Sequence, residues 1–318
     1  MDDDISYSFE YGSDTQVYVS GLRNASAISI TIPRTVVYEY SDWGDCDDDG
    51  NLKIKCRTCT VMRIRDQAFY HRTSLRSVTI QSGLTSIGGT AFCGCSGLTS
   101  VTIPSSVTNI GPSAFYNCGR LTSVTIGDSV TRIWSSAFSV CSELTSVHIS
   151  DMASWCGILF DDDTANPLYY AHNLYLNGEK VENLVVPDGV TSIGNRAFKL
   201  CSGLTSVRIP DSVTNIGNQA FSHCSGIMSF AVGSGNANYK AVNGLLLSKD
   251  GKTLIAGVNG DVTIPDSVTN IGNQAFRGYS RLTSVTISDS VTSIGDSAFD
   301  DCGSLTSVTI PDSVTSIG

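Results

Sequence analysis

Eleven cysteines, four histidines and thirty acidic residues are the groups in this 318-residue chain whose chemistry could matter, and six of the cysteines and six of the aspartates fall into register. Cys95, Cys118, Cys141, Cys201, Cys224 and Cys302 share one position of a recurring unit, which Arg72 and Tyr279 occupy in two further copies. Stacked strands lie about 4.8 Å apart, inside the Cα range a disulfide accepts. A regular column offers no preferred pairing, however, so the expectation is reduced thiols acting as small apolar fillers of a constant interior volume. Cys56-Arg57-Thr58-Cys59 with Cys46 supplies three ligands of a zinc site, but no suitable fourth is near. A Cys46–Cys56 or Cys56–Cys59 link in a loop is the better reading, and the pairing of Cys46, Cys56, Cys59 and Cys156 stays open. Asp45, Asp47, Asp49 and Gly50 open like a calcium loop, yet Cys56 stands where that loop needs a bidentate Glu. An acidic hairpin turn at Asp49-Gly50 fits better. A second column, Asp128, Asp188, Asp211, Asp266, Asp289 and Asp312, reads as turn residues whose carboxylates bond the local backbone. No metal and no cofactor is expected.

Catalytic patterns are missing as well. His71, His148, His172 and His223 are scattered, with no H-E-x-x-H, and neither G-x-S-x-G nor G-x-G-x-x-G occurs. Gly251-Lys252-Thr253 imitates the end of a phosphate loop, but Leu246 sits where its first Gly belongs. The expectation is a protein that is not an enzyme. A formal net charge of -10 argues against nucleic acid, which needs clustered Lys and Arg, and against anionic membrane surfaces. No apolar run approaches the roughly 20 residues of a membrane span. Met1-Asp2-Asp3-Asp4 is acidic where a signal peptide would be basic and then apolar.

The elements that must position these columns follow from the period. Phe69, Phe92, Phe115 and Phe138, then Phe198 and Phe221, then Phe276 and Phe299 recur every 23 residues within each group. Ile32, Ile80, Ile103, Ile126, Ile149, Val186, Ile209, Val232, Ile264, Ile287 and Ile310 extend the register to eleven coils, interrupted by insertions of 25, 14 and 9 residues. In the unit Leu282 to Cys302, Val285 and Ile287 alternate with Ser284 and Thr286, the period-2 pattern of a strand with one buried face. An Asp-Ser turn follows, Val291 and Ile294 point inward again, and Gly295 suits a positive-φ bend. Asn195, Asn218, Asn273 and Asp296 suit the N-cap of a short helical turn that buries the next Ala-Phe pair. One such coil cannot bury enough apolar area to stand alone, so stacking must supply the rest. The fold class is therefore mainly β: a curved solenoid of about eleven 23-residue coils with short helical turns and three hairpin-bearing insertions.

Leu-x-x-Val-x-Ile-Pro-x-x-Val-x-x-Ile-Gly-x-x-Ala-Phe-x-x-Cys, repeated in this way, resembles the BspA-like leucine-rich repeats of bacterial surface proteins, over about residues 25–318. The interruptions, from Trp155-Cys156 through Leu174-Tyr-Leu-Asn-Gly178 and from Val242-Asn-Gly244 to Lys252, resemble members of that family too. The resemblance implies a leucine-rich-repeat solenoid in a secreted or cell-surface protein, sometimes an adhesin for host proteins, with no shared catalytic residues to carry over. Extracellular or cell-surface localisation follows as an expectation, with a signal peptide removed from this chain. Residues 1–24 read as N-terminal capping strands, and residues 25–318 as the solenoid, with insertions at about 34–58, 151–180 and 233–258. Ser316-Ile317-Gly318 stops midway through a repeat, so a C-terminus truncated from a longer protein is expected.

Recognition is expected where the repeat breaks. Outward strand positions are nearly all Ser or Thr, with only His148 and Arg208 departing. The insertions instead carry Tyr38, Tyr40 and Trp43, then Trp155, Phe160, Tyr169, Tyr170 and Tyr175, then Tyr239. Aromatic rings on loops suit protein or sugar binding; the alternative is that they roof the core where a coil is interrupted. Tyr38, Tyr40, Trp43, Trp155, Phe160, Tyr169, Tyr170 and Tyr175 are thus the candidate ligand-binding residues. The expected function is a non-enzymatic, adhesin-like scaffold recognising a host protein or glycan, working as a monomer. A passive spacer within a larger surface protein, or a cytosolic interaction scaffold, is the alternative.

Overall fold

A computed structural model of the chain describes residues 5–9, 16–24, 26–40 and 55–318. The chain is a mainly-β solenoid of about eleven turns of about 23 residues. It divides into two compact units, Met1–Leu144 and Thr145–Gly318. In the first unit Ser77–Ile80, Ser100–Thr102 and Ser123–Thr125 pair parallel and in register, and Ser86–Ile87, Asn109–Ile110 and Arg132–Ile133 form a second set. Valine and isoleucine at alternate positions are what fix this register, because a one-residue slip would turn every apolar side chain to solvent. Val101, Ile103, Val107, Ile110 and Phe115 all lie in the interior at no more than 2% exposure. Phe69, Phe92, Phe115 and Phe138 stack one on the next, with ring centroids 4.9, 5.2 and 5.3 Å apart and planes within 13°. Upstream, Ile5–Phe9 runs antiparallel to Gln16–Leu22, which lies parallel to Lys55–Ile64. Thr35–Tyr40 pairs antiparallel with the same long strand, so the first insertion includes a hairpin. Its Asp49-Gly50 turn, the acidic triplet, Trp43, Cys46 and the side chains of Tyr38, Tyr40 and Cys56 lie outside the described residues.

The turn edge takes a finer form than the short helical turn read from sequence. Its backbone N–H groups alternate in direction. The N–H of Phe69 donates to Ala91 O of the next coil at 2.7 Å, whereas that of Tyr70 turns back to Gln67 O at 3.0 Å. Two left-handed residues per coil produce the alternation, such as Gln67 (φ 61°) and His71 (φ 55°). The polar residues opening this edge cap no helix; they tie coils together. Asp66 Oδ1 accepts from Gly89 N at 2.7 Å, Asn195 Oδ1 from Asn218 N at 2.8 Å and Asn273 Oδ1 from Asp296 N at 3.0 Å. The positive-φ bend expected at Gly295 falls instead at Ser297 (φ 52°). Gly295 is small for another reason: a Cβ there would sit 2.3 Å from Asn273 Oδ1 and 2.6 Å from its backbone N.

In the second unit Asn183–Val185, Ser206–Ile209 and Ser229–Val232 continue the same pattern, as do Thr253–Ala256, Asn270–Ile271, Ser293–Ile294 and Ser316–Ile317. Its two insertions turn back on themselves at Asn-Gly pairs with positive φ at both residues, and at an Asp-Gly pair where Gly251 alone has positive φ. Leu174–Leu176 folds onto Glu179–Lys180 about Asn177 (φ 52°) and Gly178 (φ 89°). Tyr239–Val242, Leu245–Ser248 and Thr253–Ala256 form a meander whose second turn holds Asp250 and Gly251, as expected. Its first turn, Asn243-Gly244, is the same device and was not singled out from sequence.

Candidate functional site

The insertion between Ile149 and Val186 is a folded element in its own right. Asp151 opens α1 (Met152–Cys156), its carboxylate accepting from Ser154 N at 2.7 Å. Asp162 caps a single 3-10 turn, Asp163–Ala165, in the same way. α2 (Leu168–Ala171) follows Pro167 and stops at His172, whose φ of 57° cannot continue a helix. Side chains of the insertion reach carbonyls at the turn edge of the coil that follows, among them Ala197 O, whose counterpart in an uninterrupted coil takes the phenylalanine N–H of the coil before. Trp155 Nε1 donates to Ala197 O at 3.0 Å, and Asn166 Nδ2 to Arg196 O at 2.8 Å. Leu174–Leu176 then rejoins the ladder, parallel to Ser146–Ile149.

Burial sorts the candidate aromatics. Trp155 (1% exposed) and Phe160 (4%) lie in the core, tilted against each other at 5.4 Å. Tyr169 and Tyr170 remain half-buried on α2, edge to face at 4.9 Å. Tyr175 stacks on His148 at 4.8 Å, a pair set by the parallel register of their strands. The sequence pattern had marked His148 as a break in the Ser/Thr face, and the structure brings it together with Tyr175. Tyr239 serves the scaffold, its hydroxyl accepting from Ile216 N at 3.0 Å.

Beside α2 the charges are organised. Asp163 accepts from Lys199 Nζ at 2.6 Å and from Arg196 Nε at 2.9 Å. Burial alone would raise the Asp163 carboxyl, but these two donors outweigh it and hold the group below the ordinary carboxylate range. Lys199 is itself pushed down, because burial costs its ammonium more than Asp163 returns.

Exposed apolar residues that sequence reasoning missed lie near regular strands: Leu159 (56% exposed), Val185 (59%) and Met228 (54%). Val185 and Ala231 share the outward strand slot of Arg208, so His148 and Arg208 are not the only departures from the Ser/Thr face, and that substitution was the available signal. In the first unit Trp134 was likewise passed over, although it stands where most coils have Gly; Arg132 lies over its ring at 3.6 Å.

The cysteine column makes hydrogen bonds of its own. Cys95, Cys118 and Cys141 donate to the carbonyls of Phe69, Phe92 and Phe115 at 3.1–3.2 Å, and Cys224 and Cys302 to those of Phe198 and Phe276 at 3.0 Å. Burial pushes the thiols of Cys95, Cys141, Cys156 and Cys201 up to about 12, so they carry no thiolate at neutral pH. The nine described cysteines are unbridged, and no cluster of potential metal ligands occurs among the described residues. No helix among them is long and apolar enough to cross a membrane.

BspA-type leucine-rich repeat regions match the chain in six copies, over residues 62–157, 171–241 and 259–318. The chain belongs to the BspA-type leucine-rich repeat family. A leucine-rich cell surface protein from Faecalibacterium prausnitzii is 29% identical, with a TM-score of 0.65 over 100% of this chain and 83% of that one. A leucine-rich repeat protein from Eubacterium ventriosum is 24% identical, with a TM-score of 0.43 over 99% of this chain and 66% of that one. Another from Bacteroides ovatus is 23% identical, with a TM-score of 0.33 over 100% and 87%. No curated protein sequence matches. As a BspA-type leucine-rich repeat protein of the bacterial surface kind, the chain falls in a class of protein-interaction scaffolds rather than enzymes.

Proposed function

We propose that this protein is an extracellular or cell-surface binding scaffold, adhesin-like, which holds a host protein or glycan on the 151–180 insertion. The observation that carries this reading is the division of labour within that insertion. Trp155 and Phe160 are spent on the core, Trp155 and Asn166 bond carbonyls of the next coil, and Lys199 and Arg196 pin the acidic turn. Tyr169, Tyr170 and Tyr175 are thereby left partly exposed on a rigid base, together with Leu159 and the acidic residues Asp161 and Asp162. Rigid, partly apolar rings lose little entropy on binding, and acidic neighbours would favour a partner with basic and apolar groups. Tyr38, Tyr40 and Trp43 of the first insertion are a second aromatic group in the same reading. The regular face offers less, since its Ser and Thr hydroxyls make bonds that water matches.

A glycan and matrix-protein array finds the ligand, and substitutions then locate it. Tyr169→Ala with Tyr170→Ala should weaken binding about tenfold or more while leaving the melting temperature nearly unchanged. Trp155→Ala, by contrast, should cost about 3–5 kcal/mol of stability. A large fall in melting temperature for the tyrosine pair would make those rings core lids and end the assignment.

A further inference from the structure

The 233–258 insertion leaves a different mark on the ladder. In an uninterrupted coil of the second unit, three turn-edge N–H groups reach the next coil: Arg196 to Asn218 O at 3.0 Å, Phe198 to Ala220 O at 3.0 Å and Leu200 to Ser222 O at 2.9 Å. The following coil keeps only the third of these, His223 N to Arg277 O at 2.8 Å. The N–H groups of Gln219 and Phe221 have no acceptor among the described residues, and Ala275 O, which Phe221 would have used, accepts from Gly257 N at 2.7 Å. The insertion contributes strands to the stack but no turn edge, so the two flanking edges meet at His223 and Arg277 and part towards Gly217 and Asn273. Between them lies a cavity of about 240 Å³.

Its lining is specific in kind. Asn218, Gln219, Asn273 and Gln274 line it, the Asn273 amide oxygen being held by Asp296 N of the next coil, with Phe221 and Tyr279 as apolar walls and no charged residue in the lining. Lys199 Nζ donates to Gln219 Oε1 at 2.8 Å, which directs that amide's oxygen away and leaves its NH2 as a donor. The two ladder donors are main-chain groups held by the fold, so they are pre-aimed. At the 151–180 insertion Trp155 Nε1 takes the carbonyl of Ala197; here Gly257 N takes that of Ala275, and the N–H groups of Gln219 and Phe221 on the preceding edge stay open.

From this geometry we infer that the cavity is a binding site for a single uncharged sugar ring, either free or at the end of a glycan. A sugar presents hydroxyls that both accept from N–H groups and donate to amide oxygens, and C–H faces that pack against rings. A charged ligand would lose its hydration against a lining that holds no counter-charge. An extended peptide would need a row of open groups on both edges, but Gly257 already occupies Ala275 O and the edges close at His223. The inference stands apart from the tyrosine surface of the 151–180 insertion, and either can fail without the other.

The test is saturation-transfer NMR on the full chain with a panel of neutral and N-acetylated monosaccharides, and with an uncharged tetrapeptide as a rival probe. At least one sugar should give a saturable signal. Asn218→Ala should weaken it about tenfold, as should Gln274→Asn, which withdraws the amide by one methylene at a backbone position Asn tolerates. Neither should shift the melting temperature by more than a few degrees. Silence from every sugar, a sugar signal untouched by both variants, or binding of the tetrapeptide alone would overturn the assignment.

Discussion

Tyr279 shows how much one side chain must do where the repeat is broken. Its slot holds cysteine in six coils, and in five of them the thiol spans the distance to the phenylalanine carbonyl of the preceding edge. At Tyr279 the preceding edge belongs to Phe221, on the far side of the insertion, and a phenol replaces the thiol to reach Phe221 O at 3.5 Å. Tyr279→Phe removes the hydrogen bond alone and should cost about 1–2 kcal/mol in urea unfolding. Tyr279→Cys restores the column's own residue yet should cost more, about 3–5 kcal/mol, because the shorter side chain also leaves a cavity. Equal costs for the two would mean that the wider gap is not what the ring serves. The sequence marked Tyr279 as an exception but not its reason, since the reason lies in the spacing of two coils that a distant segment sets. Asn236 was invisible for the same cause. It is fully buried, donating to Pro210 O and Val213 O and accepting from Asn238 N and Tyr239 N, partners that no local pattern connects.

Among elements, the strands were legible and the turns were not. Period-2 alternation of Val and Ile with Ser and Thr reports directly which face is buried, so strand register could be read without coordinates. The turn edge depends on left-handed backbone at Gln67, Thr90, Ser113 and Arg196, residue types that carry no such signal. The aromatic insertion lay between these cases. Its residues were identifiable by composition, but which rings sink and which stay out depended on where α1 and α2 dock. Asp163 tests that docking through pH. Its carboxyl is held low, so the stability it contributes is present above the unfolded range, about pH 4, and is lost as pH falls through the folded value. The urea midpoint should therefore drop further between pH 6 and pH 3 in the parent than in Asp163→Asn. A constant gap between the two proteins at both pH values would remove the ion cluster from the account.

For the whole molecule the decisive quantity is the 23-residue translation. Hydrogen bonds repeat at that separation, from Thr108 Oγ1 to Thr85 O at 3.2 Å and from Thr131 Oγ1 to Thr108 O at 3.2 Å, as faithfully as the strands do. Each coil thus offers its neighbour the surface it receives, and stability is shared between nearest neighbours. Deleting residues 100–122 joins Thr99 to Ser123 with every column intact, and the circular dichroism spectrum and cooperative unfolding should survive. Deleting 100–121 shifts the register by one and sends the interior valines outward, so that protein should not fold. Survival of both, or loss of both, would show that the translation is not what specifies the stack. The coil count and the three interruptions were readable because they are themselves sequence periods; the division into two compact units was not.

The bonded thiols have a mechanical consequence. Cys95, Cys118, Cys141, Cys224 and Cys302 donate to carbonyls and none of the nine described thiols is cross-linked, so no covalent tie shortens the coils that hold them when the chain is stretched. A coil peeled from the stack releases its whole contour, about 80 Å for 23 residues drawn taut. Force–extension traces should show steps of about that length, the same with and without reductant. Coils of this kind lengthen under load and wind back afterwards with no disulfide among the nine described cysteines to re-form.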